Sequence, residues 1–151
     1  MSQTVFDQIS RHGGYTDITV KNTGATTITA GLVVQAETTD TGTDYPHVKA
    51  IAASDTVTLV AGVAVDTIVA GAYGRVCVHG PAVVLCNAVM DQFQFVQTLL
   101  GGGSCDGKAI ALATSSTQEA VHSLGFLLTP SGGTGDYAEM FVQLAPVTTA
   151  A

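Results

Sequence analysis

Short runs of alternating side chains, each closed by glycine or a polar turn, recur along this chain and constrain its fold more than any other feature. Residues 16–21 place Ile18 and Val20 on one face before Asn22-Thr23-Gly24 turns the chain. Residues 73–79 place Val76 and Val78 on one face, with Arg75 and His79 on the other. A period of two is that of a strand with one face buried. Further strands are expected over residues 31–37, 47–52, 57–65, 82–86, 93–99, 108–114, 121–129 and 136–144. Gly80-Pro81 is expected to turn the chain between two of them, and residues 115–120 to form one helical turn. Residues 57–65 are apolar except for Thr58 and read as a strand buried on both faces. Residues 38–44 and the GGGS-containing segment 100–107 read as loops, and 146–151 as a frayed tail. Short strands at this spacing predict an all-β domain over residues 16–145, a small antiparallel β-barrel or a β-tulip-like relative of one.

Composition supports this reading. The chain holds 21 threonines and 19 valines but only 5 Lys plus Arg. Thr and Val favour strands, whereas Lys, Arg and Glu favour helices. Charged residues make up 11% of the 151, less than half the roughly 25% of ordinary soluble domains. With 46% apolar residues, the body of the chain is expected to collapse into a core. A formal charge of −7 removes the basic surface that direct nucleic-acid binding or an anionic membrane would need. No apolar run approaches the roughly 20 residues of a membrane-spanning helix, and residues 1–14 have no secretory pattern. Cys77, Cys86 and Cys105 lack metal-knuckle spacing and are expected to be reduced thiols, as in a protein that matures in a cytoplasm. A Cys77–Cys86 bridge across a hairpin is the lesser alternative.

One internal echo stands out. Residues 62–79 read GVAVDTIVAGAYGRVCVH and residues 125–143 read GFLLTPSGGTGDYAEMFVQ. Each opens on Gly and an apolar run, crosses a Gly-containing loop, and continues through a Tyr into an alternating strand. The reading is one hairpin design used twice.

The residue types that carry chemistry do not assemble into a known site. His79 lies two residues from Cys77, but a metal normally needs four convergent ligands, so an outward His beside a Cys is the better reading. Asp40-Thr41-Gly42 matches the aspartic-protease tripeptide, yet those enzymes need two such aspartates and this chain holds one copy. Gly101-Gly102-Gly103-Ser104 lacks the Lys of a phosphate loop. Cys105 has no base beside it in sequence. No enzymatic activity and no cofactor are expected.

Two features call for a partner instead. In residues 137–144, Ala138, Met140, Val142 and Leu144 share one face, which leaves Tyr137 and Phe141 on the other. If the first set is core, the two aromatics point outward and mark an oligomer interface. A strand buried on both sides is the alternative. Residues 1–15 form an expected arm carrying Val5, Phe6, Ile9 and Tyr15, with Gly13-Gly14 as a hinge. Such a segment is more apolar than a solvated tail needs to be and is suited to docking on a partner.

The block VTLVAGVAVDTIVAGAYGRVCVHGPAVVL resembles the core of the tailed-phage capsid decoration, or cement, proteins. The carrying elements are the Gly-apolar-Ala-apolar stretch from Gly62 to Asp66, the Ala70-Gly71 loop, and the strand from Arg75 to Gly80. LGFLLTPSGGTGDYAEMFVQLAP is similar to the C-terminal hairpin of the same proteins, so the resemblance spans roughly residues 16–145. It implies a virion structural protein, not an enzyme. Such a protein forms a homotrimer on the outer head surface, binds the major capsid protein late in assembly, and stabilises the shell. It also implies a capsid-binding arm, a role that falls to Val5, Phe6, Ile9 and Tyr15. The competing readings are another virion part, such as a head fibre base or spike, a glycan- or ligand-binding β module, and a thiol enzyme using Cys86 or Cys105. A fibre base would be expected to run on into a shaft, and a glycan module to gather its aromatics, yet this sequence spreads five Phe and four Tyr along the chain.

Overall fold

The computed structural model describes residues 9–12, 15–37, 45–52, 59–98, 106–112 and 122–146. Among these, every regular element is a strand: β1 (Ile9–His12), β2 (Tyr15–Asn22), β3 (Val33–Ala36), β4 (His47–Ala50), β5 (Val60–Ala64), β6 (Tyr73–Met90), β7 (Phe95–Thr98), β8 (Ala109–Ala111), β9 (His122–Leu127) and β10 (Ser131–Pro146). The all-β barrel expected from the alternation is therefore what the chain forms. The loops at 38–44 and 100–105, the helical turn at 115–120, and the tail beyond Pro146 lie outside the described residues.

The pairings close two rings that share β6. In the first, β2 runs parallel to β4 through Lys21↔His47 and Asn22↔Val48, and β4 pairs with β3. Then β3 pairs with β5, β5 with β6, and β6 returns to β2, all antiparallel. In the second, β6 runs parallel to β8 through Cys86↔Ala109. The circuit continues antiparallel from β8 to β7, β9 and β10 and back to β6. The order of parallel and antiparallel contacts is the same in both. β1 adds to the edge of β2, with Ile9 opposite Ile18 and His12 opposite Tyr15.

Registers superimpose as well as topologies. Val34 sits between Ala50 and Gly62 in the first ring, as Val96 sits between Ala111 and Gly125 in the second. The Gly31 amide donates to the Ala64 carbonyl at 2.8 Å, and the Ala64 amide to Leu32 at 2.8 Å. Their counterparts are the Phe93 amide to Leu127 at 2.8 Å and the Leu127 amide to Gln94 at 3.0 Å. The echo of 62–79 in 125–143 is thus the visible part of a whole ring used twice.

The hairpin glycines of the echo have a common cause. Gly62 and Gly125 both adopt positive φ, at 155° and 132°. A Cβ at Gly62 would meet the Cys77 carbonyl, and one at Gly125 the Phe141 carbonyl. Cys77 and Phe141 are themselves equivalent positions. Only glycine lets the two strands of each hairpin approach so closely.

Gly80-Pro81 does not turn the chain, as a local reading expects. β6 runs unbroken for 18 residues. Gly80 takes φ 102°, where β6 leaves β2 and continues along β10 through Val142↔Gly80 and Phe141↔Pro81. Cross-strand pairing on both sides overrides the local turn preference, and the glycine marks the handover between rings. Cys77 and Cys86 therefore lie on one strand rather than across a hairpin, and both are free thiols.

The interiors follow the alternation. Val20, Ile28, Val34, Val48, Ala64, Ile68 and Val76 fill the first ring. Val84, Val96, Leu127, Met140 and Val142 fill the second. Val33, Val63 and Cys77, on the outside of the first ring, join the core of the second. Gly125→Ala is expected to destabilise the protein by more than about 3 kcal/mol in chemical denaturation, because strained backbone adds to a collision with Phe141. Gly133→Ala, where a Cβ would meet open space and only the φ of 152° is unfavourable, is expected to cost about 1 kcal/mol.

Candidate interaction surface

β10 supplies the first part of the surface. Ala138, Met140 and Val142 are buried, while Tyr137, Glu139 and Gln143 are exposed and Phe141 half-buried. A register shift between Thr134 and Tyr137 fixes which parity faces outward. The outward direction read from the sequence for Tyr137 and Phe141 is the one observed, but the two residues serve different places.

Phe141 belongs to an aromatic ladder on the outside of the second ring. It stacks on Phe126, centroids 5.6 Å apart and planes 10° from parallel. Phe126 meets Phe95 edge-on at 6.1 Å, and Phe141 meets His79 edge-on at 5.2 Å. The ladder crosses β7, β9, β10 and β6. It follows directly from the pairings Phe95↔Phe126 and Phe126↔Phe141, which set the rings opposite one another. Phe95 is 57% exposed, and Phe93 beside it 64%. Phe93 also holds φ at 64°, a conformation unfavourable for any residue with a bulky side chain. Sequence reading placed His79 outward and residues 93–99 in a strand, but did not single out Phe126 or join these residues to Phe141. The alternation within each run was visible, whereas the register that brings four runs together was not.

Tyr137 lies instead at the junction of the rings. Its ring packs on Gly31, with Cε1 2.8 Å from where a Cβ would sit. There it lines an open cleft of about 510 Å³ together with Asp17, Arg75, Pro81, Val83 and Glu139. Asp17 is buried, and Arg75 stands 3.9 Å from its Oδ2. Arg75 also grips Asp66 through Nε at 3.1 Å and Nη2 at 2.9 Å. These bonds hold the Asp66 carboxyl below its ordinary range, against a smaller opposing effect of burial.

The remaining site expectations fall as follows. Val5 and Phe6 lie outside the described residues. Ile9 is placed by backbone in β1, and Tyr15 at the start of β2. Cys105 also lies outside. Among the described residues, no three His, Cys, Asp or Glu side chains gather as a metal would require. Cys77 is buried, and its thiol donates toward the His79 carbonyl at 3.5 Å rather than sharing a site with the imidazole. Burial, then the nearby Asp17 charge, pushes the Cys77 thiol up to about 11. Burial also raises Cys86. A nucleophilic thiol needs the opposite shift. Both thiols are expected to resist iodoacetamide at pH 8 in the folded protein and to react once it is unfolded, as read by mass spectrometry of their peptides.

No known protein family matches the chain, and no curated protein sequence does. Among solved structures, the fold is similar to the head fiber gp8.5 N base of bacteriophage phi29. The two share 13% sequence identity at a TM-score of 0.55, over 89% of this chain and 98% of that one.

Proposed function

We propose that this chain is a structural protein of a phage head, one that decorates the outer surface as a homotrimer and stabilises the shell. The observation that carries the reading is the fold, shared nearly end to end with the base of a phage head fibre. The outer-face ladder of exposed Phe95 and half-buried Phe126 and Phe141 supports it, since aromatic side chains are enriched at protein interfaces. The surface charge also suits a coat that adheres by apolar contact rather than by salt-sensitive attraction. In this reading Val5, Phe6, Ile9 and Tyr15 reach the major capsid protein. Three arms on one trimer give avidity to a contact that is weak singly.

A second reading, the base of a head fibre, is favoured by the same structural likeness. The two differ in what the bound protein does for the shell. Cosedimentation with expanded phage heads is expected to show binding by the full chain and its loss on removal of residues 1–8. The temperature at which the heads release DNA is expected to rise on binding. Binding without any rise would favour the fibre base, and no binding would overturn both readings. Phe141→Asp is expected to give a folded monomer by light scattering and circular dichroism, because Phe141 lies on the outer face.

A further inference from the structure

The two rings make the same surfaces, but only one copy of each is covered within the chain. On the first ring, the row Val33, Val63 and Cys77 is set by Val33↔Val63 and Val63↔Cys77. All three are fully buried, because the second ring sits on them. The covering contacts are specific. The Val33 amide donates to the Gly107 carbonyl at 2.8 Å, the Leu85 amide donates to Gly31 at 2.8 Å, and Tyr137 packs on Gly31.

The equivalent row on the second ring is Phe95, Phe126 and Phe141, held by the equivalent pairings. Phe95 is exposed and Phe126 and Phe141 are half-buried, with His79 against the Phe141 end, so the row is far less covered than its counterpart. The position equivalent to Gly31 is Phe93, by the matching hydrogen bonds to Leu127 and Ala64. Phe93 keeps a large, 64% exposed side chain at positive φ where its counterpart is glycine. A strained residue that leaves its ring in water is retained for something other than stability. The first ring shows the complementary surplus. Tyr73 is the counterpart of Tyr137 and is 56% exposed. It forms an aromatic end with Tyr45 at 5.1 Å and Lys21 over its ring at 5.7 Å.

We infer that the aromatic row of the second ring receives the Tyr73 end of the first ring of another copy. The contact is head-to-tail and continues the one the two rings already make within the chain. The occupant is a second copy because the two uncovered surfaces are the repeat equivalents of the two that meet internally. The larger Phe side chains stand where the internal contact uses Val, Cys and Gly, so the intermolecular contact rests on aromatic packing rather than on a shared core. Contacts of this kind join unlike surfaces and close into a ring or run on as a filament. The proposed homotrimer is the closed form. The inference rests on that self-association and not on the phage head as its seat.

The test uses the full chain and two exposed-site variants, Phe95→Lys and Tyr73→Lys, with thermal melting to show that each stays folded. Light scattering is expected to give an oligomer for the wild type and the 15.3 kDa monomer for each variant alone. A one-to-one mixture of the variants retains one intact face and one intact end, so it is expected to give a species of twice the monomer mass. A wild-type monomer at all concentrations would overturn the inference, as would a mixture that stays monomeric. An oligomer lost with Phe95→Lys but kept with Tyr73→Lys would also overturn it, while leaving the proposed homotrimer in place. Loss of head binding with the mixing result intact would overturn only the proposed function.

Discussion

β6 runs for 18 residues and pairs with β2 and β5 over its first part and with β10 and β8 over its second, and the rest of the structure depends on its doing so. Its first half is the last strand of one ring and its second half the first strand of the next. A chain of separate hairpins would leave two small barrels to find each other by side-chain contact alone. One continuous strand fixes their spacing and rotation covalently. Burial of Val33, Val63 and Cys77 against the second ring then follows from geometry, so the outer row of the first ring becomes part of the second ring's core while the first ring's interior stays a cluster of its own. Neither ring has a core large enough to be indifferent to the loss of the other.

The duplication explains an asymmetry that composition does not. Equivalent positions carry Val and Phe, Val and Phe, Cys and Phe, because one row faces protein and the other faces outward. Small side chains suit a face that a neighbouring barrel must approach closely. Large rings suit a face that anchors something arriving from solution. Positions that serve the ring itself have kept their character. Gly62 and Gly125 remain glycine, and Gln35 and Gln97 remain buried glutamines.

Much of this was legible before any coordinates, for physical reasons that differ by element. The parity of β10 was readable because Ala138, Met140 and Val142 are apolar at every second position, and burial enforces that period. The echo was readable where glycine and tyrosine recur, since those positions tolerate few alternatives. The remainder of the repeat was hidden because strand pairing constrains backbone far more than side-chain identity. Gly80-Pro81 misled because its local preference is real, and the pairing of β6 with β2 before it and with β10 through and beyond it outweighs that preference. The aromatic ladder was hidden for a related reason. Its members are 31, 15 and 62 residues apart in sequence, and only register brings them together.

The sharing of β6 also sets the order in which the molecule can be completed during synthesis. All strands of the first ring have been made once residue 79 leaves the ribosome, so that ring can close early. Its outer row of Val33, Val63 and Cys77 then has nothing to pack against until residues 80–146 follow. At about 5–20 residues per second, that interval lasts roughly 3–13 s. For that time the nascent chain presents an apolar row of the same geometry that the finished protein presents as phenylalanines. The outer row of a newly closed first ring thus stays uncovered for as long as synthesis takes to pass from β6 to the end of β10.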